Sequence, residues 1–180
     1  NGCTAIDSVL LVAPDTLGAT LTPFVFNGGW NISCNGLSDG FVNLEVTGGS
    51  GTYSYLWSNG STNQDIQFVA AGTYYVTITD TNGCIRVDSI ALTEPQPITL
   101  SLVPTVYGGG FNISCYGASD GAVDLTVNGG TPGYVYAWSN LSFNEDLVNV
   151  AAGTYLVLVT DANACTMTDT ISLTEPQPCV

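Results

Sequence analysis

Apolar and polar residues alternate in short runs along this chain, the period of strands that bury one face. In the run from Gly72 to Thr79, Tyr74, Val76 and Ile78 alternate with Tyr75, Thr77 and Thr79. The β-branched and aromatic content of the run strengthens the strand reading. Val42, Leu44 and Val46 form a second inward-facing set, and Tyr53, Tyr55 and Trp57 a third. Asp80-Thr81-Asn82-Gly83 closes the first run. Asn-Gly accepts positive φ at both positions, so the chain is expected to reverse there and return as a strand from Cys84 to Leu92. Further strands are expected from Thr20 to Phe26, from Phe41 to Val46 and, irregularly, from Asp65 to Val69, and no helical period appears.

The whole pattern returns after 81 residues. Cys115 follows Cys34, Trp138 follows Trp57, Gly153 follows Gly72 and Cys165 follows Cys84 by that distance, without insertion or deletion. The repeat is therefore the unit of structure. The second copy has Asn163-Ala164 where the first has Asn82-Gly83. Alanine lacks the freedom of glycine at positive φ, so that turn is expected to differ in type or to be strained. Asn1-Gly2-Cys3 lies 81 residues before Asn82-Gly83-Cys84. Residues 1–16 accordingly read as the last strand of a preceding repeat, 17–97 and 98–178 as two repeats, and 179–180 as the start of a following segment. Two settings remain open: a window of a longer array, or a filament subunit whose residues 1–16 complete a neighbour by strand exchange.

About seven short strands per copy, turn signals every eight to twelve residues and one central tryptophan indicate an all-β fold of tandem immunoglobulin-like Greek-key β-sandwiches. The Gly-Thr-Tyr at Gly72 and Gly153 falls where such sandwiches place a tyrosine corner. Each copy ends in Glu-Pro-Gln-Pro, at Glu94 to Pro97 and Glu175 to Pro178, an extended and semi-rigid junction that suits a rod.

Composition narrows the function. Arg86 is the one basic residue against fifteen acidic ones, for a net charge of −14. Nothing is available to neutralise phosphates, which argues against nucleic acid or an anionic membrane as partner. No apolar run is long enough to insert in a membrane, and no signal peptide is present, so the chain is expected to be a mature form or a fragment. Histidine and lysine are absent. Without the usual general bases and electrophilic clamps, and with the carboxylates at turns and edges, an enzyme is not expected.

Six cysteines in two low-charge β modules read as structural disulfides formed outside the cell. Two pairings respect the repeat. Cys34 with Cys84 and Cys115 with Cys165 would let each domain fold alone. Cys84 with Cys115 and Cys3 with Cys34 would cross the junctions. In the first scheme Cys3 and Cys179 are left for neighbouring repeats or other chains.

The order Cys, Ser-Asp-Gly, Gly-Gly, Tyr-x-Tyr-x-Trp-Ser-Asn, Ala-Gly-Thr-Tyr-x-Val, Thr-Asp-x-Asn-x-Cys, Glu-Pro resembles the SprB-type repeat of Bacteroidota cell-surface proteins, in both copies. That resemblance implies an extracellular, many-copy stalk or filament of a surface adhesin, with neighbouring repeats or copies of itself as partners end to end. It does not imply one ligand.

Three further chemistries are candidates. Calcium would find hard oxygens at Asp80, Asn82, Asp161 and Asn163, helped by Asp39 and Asp120, although Asp and Asn also serve simply to make turns. Asp-Ser/Thr-apolar triplets place candidate O-glycosylation at Ser8, Thr16, Ser89 and Thr170, and Asn31, Asn59, Asn112 and Asn140 begin N-glycosylation triplets. Surface polysaccharide could stack on Trp30, Tyr53, Tyr55 or Trp57, against the alternative that strand-spaced aromatics form core.

Overall fold

A computed structural model describes residues 3, 6–10, 12–13 and 15–178. The expectation for 179–180, including Cys179, lies outside the described residues, as do parts of 1–16. The described residues before Gly18 belong to no strand.

Twelve strands follow, six per copy: β1 (Gly18–Pro23), β2 (Gly40–Thr47), β3 (Tyr53–Trp57), β4 (Ile66–Val69), β5 (Gly72–Asp80) and β6 (Ile85–Leu92), then β7 (Thr99–Pro104), β8 (Gly121–Asn128), β9 (Val135–Trp138), β10 (Leu147–Val150), β11 (Gly153–Thr160) and β12 (Thr166–Leu173). They form four three-stranded antiparallel sheets, β1-β2-β4 and β3-β5-β6 in the first copy, β7-β8-β10 and β9-β11-β12 in the second. This is the order of an immunoglobulin-type sandwich that has lost its fourth strand, a likeness of strand order alone. The count is six rather than about seven because β4 and β10 are single short strands where one or two were expected.

The alternation read from the sequence sets the faces. Val42, Leu44, Trp57, Ile66, Val76 and Ile78 are buried in the first copy, and Val123, Leu125, Trp138, Leu147, Val157 and Val159 in the second. The latter draw on both sheets and form one cluster with Val150 and Leu173, so the two sheets of the second copy pack face to face. The irregularity near Asp65 is a bulge. Register shifts between Val148 and Val150, and the residue between them, Asn149, has φ 56°. Phe68, its repeat equivalent, has φ 57° and is exposed. One extra residue in the short strand lets its two ends, Leu147 and Val150, both face the core.

The turn after β5 recurs after β11 with its geometry unchanged: Gly83 has φ 80° and Ala164 φ 66°. The strained alternative therefore holds. Replacing Ala164 by glycine is expected to raise stability by about 1 kcal/mol in chemical denaturation, since left-handed backbone costs a residue with a Cβ more than the entropy glycine adds. The tyrosine corner is also present: Tyr155 donates its hydroxyl to the Ala151 carbonyl, 2.9 Å away and four residues upstream.

By compactness the chain divides into two interleaved units. The first comprises residues 3–24, 41–67 and 72–91, and the second 25–40, 68–71 and 92–178, within the described range. The Val25–Gly40 stretch, which belongs to the first copy by sequence, is thus built into the second unit.

Candidate functional site

The site is that stretch and the turn on which it docks, both within the second unit. The stretch leaves Pro23, makes a one-turn 3-10 helix at Asn27–Gly29 and then buries Asn31, Ile32 and Ser33. Its polar groups are satisfied locally. Asn31 and Ile32 donate their N–H groups to the Thr93 carbonyl, at 2.9 and 3.1 Å, and the Asn31 side-chain oxygen accepts from the Thr93 N–H at 3.1 Å. Ser33 donates its N–H to Asp39 at 3.1 Å and its hydroxyl to the same carboxylate. Glu94, from the Glu-Pro motif, accepts from the Gly36 N–H at 2.7 Å and from the Asn35 amide at 3.2 Å. The glutamate that reads in sequence as part of a junction thus caps the loop, in the way a carboxylate closes a turn.

The docking partner is the turn after β11. Asp161, 5% exposed, accepts the N–H groups of Asn163 (2.8 Å) and Cys165 (2.9 Å) on one oxygen and of Thr131 (2.8 Å) on the other. This frees the Asn163 amide to face the loop. It donates to the carbonyls of Asn27 and Ser33, each at 3.2 Å, and to the Thr131 hydroxyl at 3.0 Å. Asn27 returns the contact, donating its N–H to the Asn163 side-chain oxygen at 3.2 Å and its amide to the Ala162 carbonyl at 2.9 Å. Beside these bonds Cys34 and Cys165 form a disulfide with Cα atoms 5.7 Å apart, inside the usual range.

This pairing replaces both expected schemes. Cys34 is bonded to Cys165 rather than to Cys84 or Cys3, and Cys3, Cys84 and Cys115 are free and exposed. The premise that failed was that each 81-residue copy keeps its own loop. Because the Cys34 loop belongs to the second unit, its nearest thiol is 131 residues away rather than fifty.

The other candidates fall as follows. Asp80 repeats the role of Asp161, accepting from Ser50 (3.0 Å), Asn82 (2.9 Å) and Cys84 (2.8 Å). The Cys84 N–H holds its carboxyl below the usual range against the opposing effect of burial, and those of Ser50 and Asn82 add to this. Asp120 is held low chiefly by Ser114. Among the described residues no group of three or more His, Cys, Asp or Glu side chains comes together. Asp39, Asp80, Asp120 and Asp161 are engaged with protein hydrogen-bond donors, and Asn163 with the loop. Ser8, Thr16, Ser89 and Thr170 are all exposed. Asn31 and Asn112 are 7% and 8% exposed, which keeps those two amides from a glycan in the folded chain. Trp57 is core, Tyr53 and Tyr55 are half-buried, and Trp30 is half-buried in the docking stretch.

The depressed Asp80 carboxyl sets a pH dependence. Its pKa is lower folded than unfolded, so its contribution to stability is complete above the ordinary value of 3.8 and is lost as pH falls through the folded value. Asp80→Asn is therefore expected to lower the melting temperature at pH 7, and the gap to the parent should close below about pH 4. Comparing the two proteins cancels the change in overall charge repulsion. A gap that persists unchanged to pH 2 would remove the ionised carboxylate from the account.

Sequence reading missed the loop docking because nothing in a periodic sequence says which copy a loop serves. One available signal was Asn27, which the second copy replaces with Gly108. No helix among the described residues is long and apolar enough to cross a membrane. No curated protein matches the chain. The SprB repeat family model matches residues 31–62 and 112–143, one stretch in each copy, beginning at the buried Asn31 and Asn112. The chain thus carries two stretches that match the SprB repeat, the repeat its motifs resemble, one in each copy.

Proposed function

We propose that the chain is a non-catalytic, force-bearing segment of an extracellular surface protein, of the adhesin type in which SprB repeats occur, with its successive repeats locked by loop docking and disulfide. The observation that carries this reading is the Cys34–Cys165 bond, which closes a span of 131 residues. A pull on the ends of the chain passes through that bond and bypasses nearly all of the enclosed polypeptide. Compositional support is the absence of histidine and lysine and the surplus of acidic residues, which suits a solvated surface element and ill suits general acid–base chemistry.

The test is to stretch single molecules held at both ends, before and after reduction. The oxidised chain is expected to release only the residues outside the bond, and reduction should add about 450 Å, the enclosed 131 residues at roughly 3.4 Å each. Equal extension in both states would overturn the force-bearing role. Saturable quenching of tryptophan fluorescence by a soluble polysaccharide, lost in Trp30→Ala, would replace it with recognition of glycans.

A further inference from the structure

The docked joint has two unjoined halves elsewhere in the chain. Cys84 stands 81 residues before Cys165, and Cys115 stands 81 after Cys34. Both are exposed free thiols. Around Cys84 the receiving side is complete. Asp80 organises the turn as Asp161 does, and a groove of about 360 Å³ lies beside the thiol. Every residue lining that groove precedes by 81 one that lines the groove of about 390 Å³ beside the Cys34–Cys165 bond, Leu17 matching Ile98 and Gly49 matching Gly130. What differs is cover: Asn82 is exposed where Asn163 is half-buried, and Ser50 is half-buried where Thr131 is buried.

Around Cys115 the inserting side is complete. Asn112 and Ile113 are buried against Thr174, Ser114 donates to Asp120, and Glu175 caps Gly117 at 2.7 Å, each contact repeating one in the docked loop. Ser114 and Cys115 are exposed where Ser33 is buried and Cys34 half-buried. The same amino acids are thus seen joined once and open twice, in complementary halves.

We propose that Cys84 and Cys115 are the receiving and inserting halves of the same disulfide joint, each closed by a second copy of this SprB repeat chain. The loop of residues 112–115 of one copy would dock on the Asp80-Cys84 turn of the next, with the Asn82 amide donating to the carbonyls of Gly108 and Ser114. Gly108 cannot supply the side-chain bond that Asn27 makes, so this joint rests on the Asn82 amide, backbone contacts and the disulfide. Oxidation is by exchange with a small-molecule disulfide. Cys115 bonds one of its sulfurs and releases the first thiol, then the Cys84 thiolate attacks the Cys115 sulfur and releases the second. Two thiols become one disulfide while the oxidant is reduced to two thiols. The inference extends the proposed function from the joint seen to further joints, and it fails separately, because the stretching test is made on single molecules.

The experiment uses the full chain carrying Cys3→Ser and Cys179→Ser, with Cys84→Ser and Cys115→Ser added in separate proteins, each checked by circular dichroism and for an intact Cys34–Cys165 bond. Mixed with glutathione disulfide, the two proteins are expected to give one dimer, linked Cys84 to Cys115 by peptide mapping, at least about tenfold faster than either forms a dimer with itself. Asn82→Ala in the receiving partner should slow it at least roughly fivefold, since two hydrogen bonds are lost and one alone is worth about that factor. Self-dimers through Cys84 or Cys115 that form as fast as the mixed one would overturn the proposal, as would thiols that stay monomeric.

Discussion

Replacing Cys34 by serine is expected to destabilise the second unit by about 4 to 5 kcal/mol in the chain-entropy treatment of a cross-link. The upper figure applies if the whole 131-residue span becomes free on unfolding. The lower applies if the first unit stays folded, since its residues 41–67 and 72–91 lie inside the span and would then act as a tether rather than as free chain. Cys165→Ser should cost the same, and the double variant no more than either, because a single bond is removed. Cys84→Ser should leave the melting temperature of the monomer unchanged. Calorimetry of the oxidised parent against the variants reads the effect directly, as a fall on the order of 20 °C in the transition of a unit of this size. Equal melting of parent and Cys34→Ser, or a loss in Cys84→Ser matching that in Cys34→Ser, would restore a pairing confined to each copy.

What the sequence disclosed and what it hid divide along one physical line. Alternation placed Val42, Leu44, Val76 and Ile78 in the core because burial of one strand face is a local property of the chain. The turn after β5 was legible for the same reason. Its strained counterpart at Ala164 followed from the one methyl group by which alanine differs from glycine. The disulfide was not legible, because in a repeat without insertion or deletion the intervals Cys34 to Cys84 and Cys84 to Cys115 are both short and neither carries information about which unit folds around the Val25–Gly40 stretch. Close backbone approaches were hidden as well. A Cβ on Gly129 would lie 2.0 Å from the Pro97 carbonyl oxygen, and one on Gly48 2.2 Å from that of Thr16, so the first glycine of each Gly-Gly pair exists to let the chain entering β7 or β1 pass. The aspartates were legible as turn makers or as calcium ligands, and three N–H groups around each of Asp80 and Asp161 account for the first of these roles.

Trp138→Ala is expected to cost about 4 kcal/mol, a large part of the 5 to 15 kcal/mol that holds a typical domain together. The ring is 3% exposed and packs in the cluster of Val123, Leu125, Leu147, Val157 and Val159, drawn from both sheets of the second copy. Its loss opens a cavity that backbone on a β-sheet cannot collapse to fill. The indole has a second task. Its Nε1–H donates to the carbonyls of Asn144 and Glu145, at 3.1 and 3.3 Å, and so ties the loop between β9 and β10 to the core. Trp138→Phe separates the two contributions. It keeps most of the buried ring and gives up the donor, so it should cost about 1 to 2 kcal/mol. Because Trp57 makes the equivalent bond to Asn63 at 2.9 Å, Trp57→Ala should weaken the first copy by a similar amount. Denaturant unfolding followed by near-ultraviolet circular dichroism resolves the series. Should Trp138→Ala and Trp138→Phe cost the same, the hydrogen bond to the loop rather than the packing of the ring would be what holds the sandwich closed.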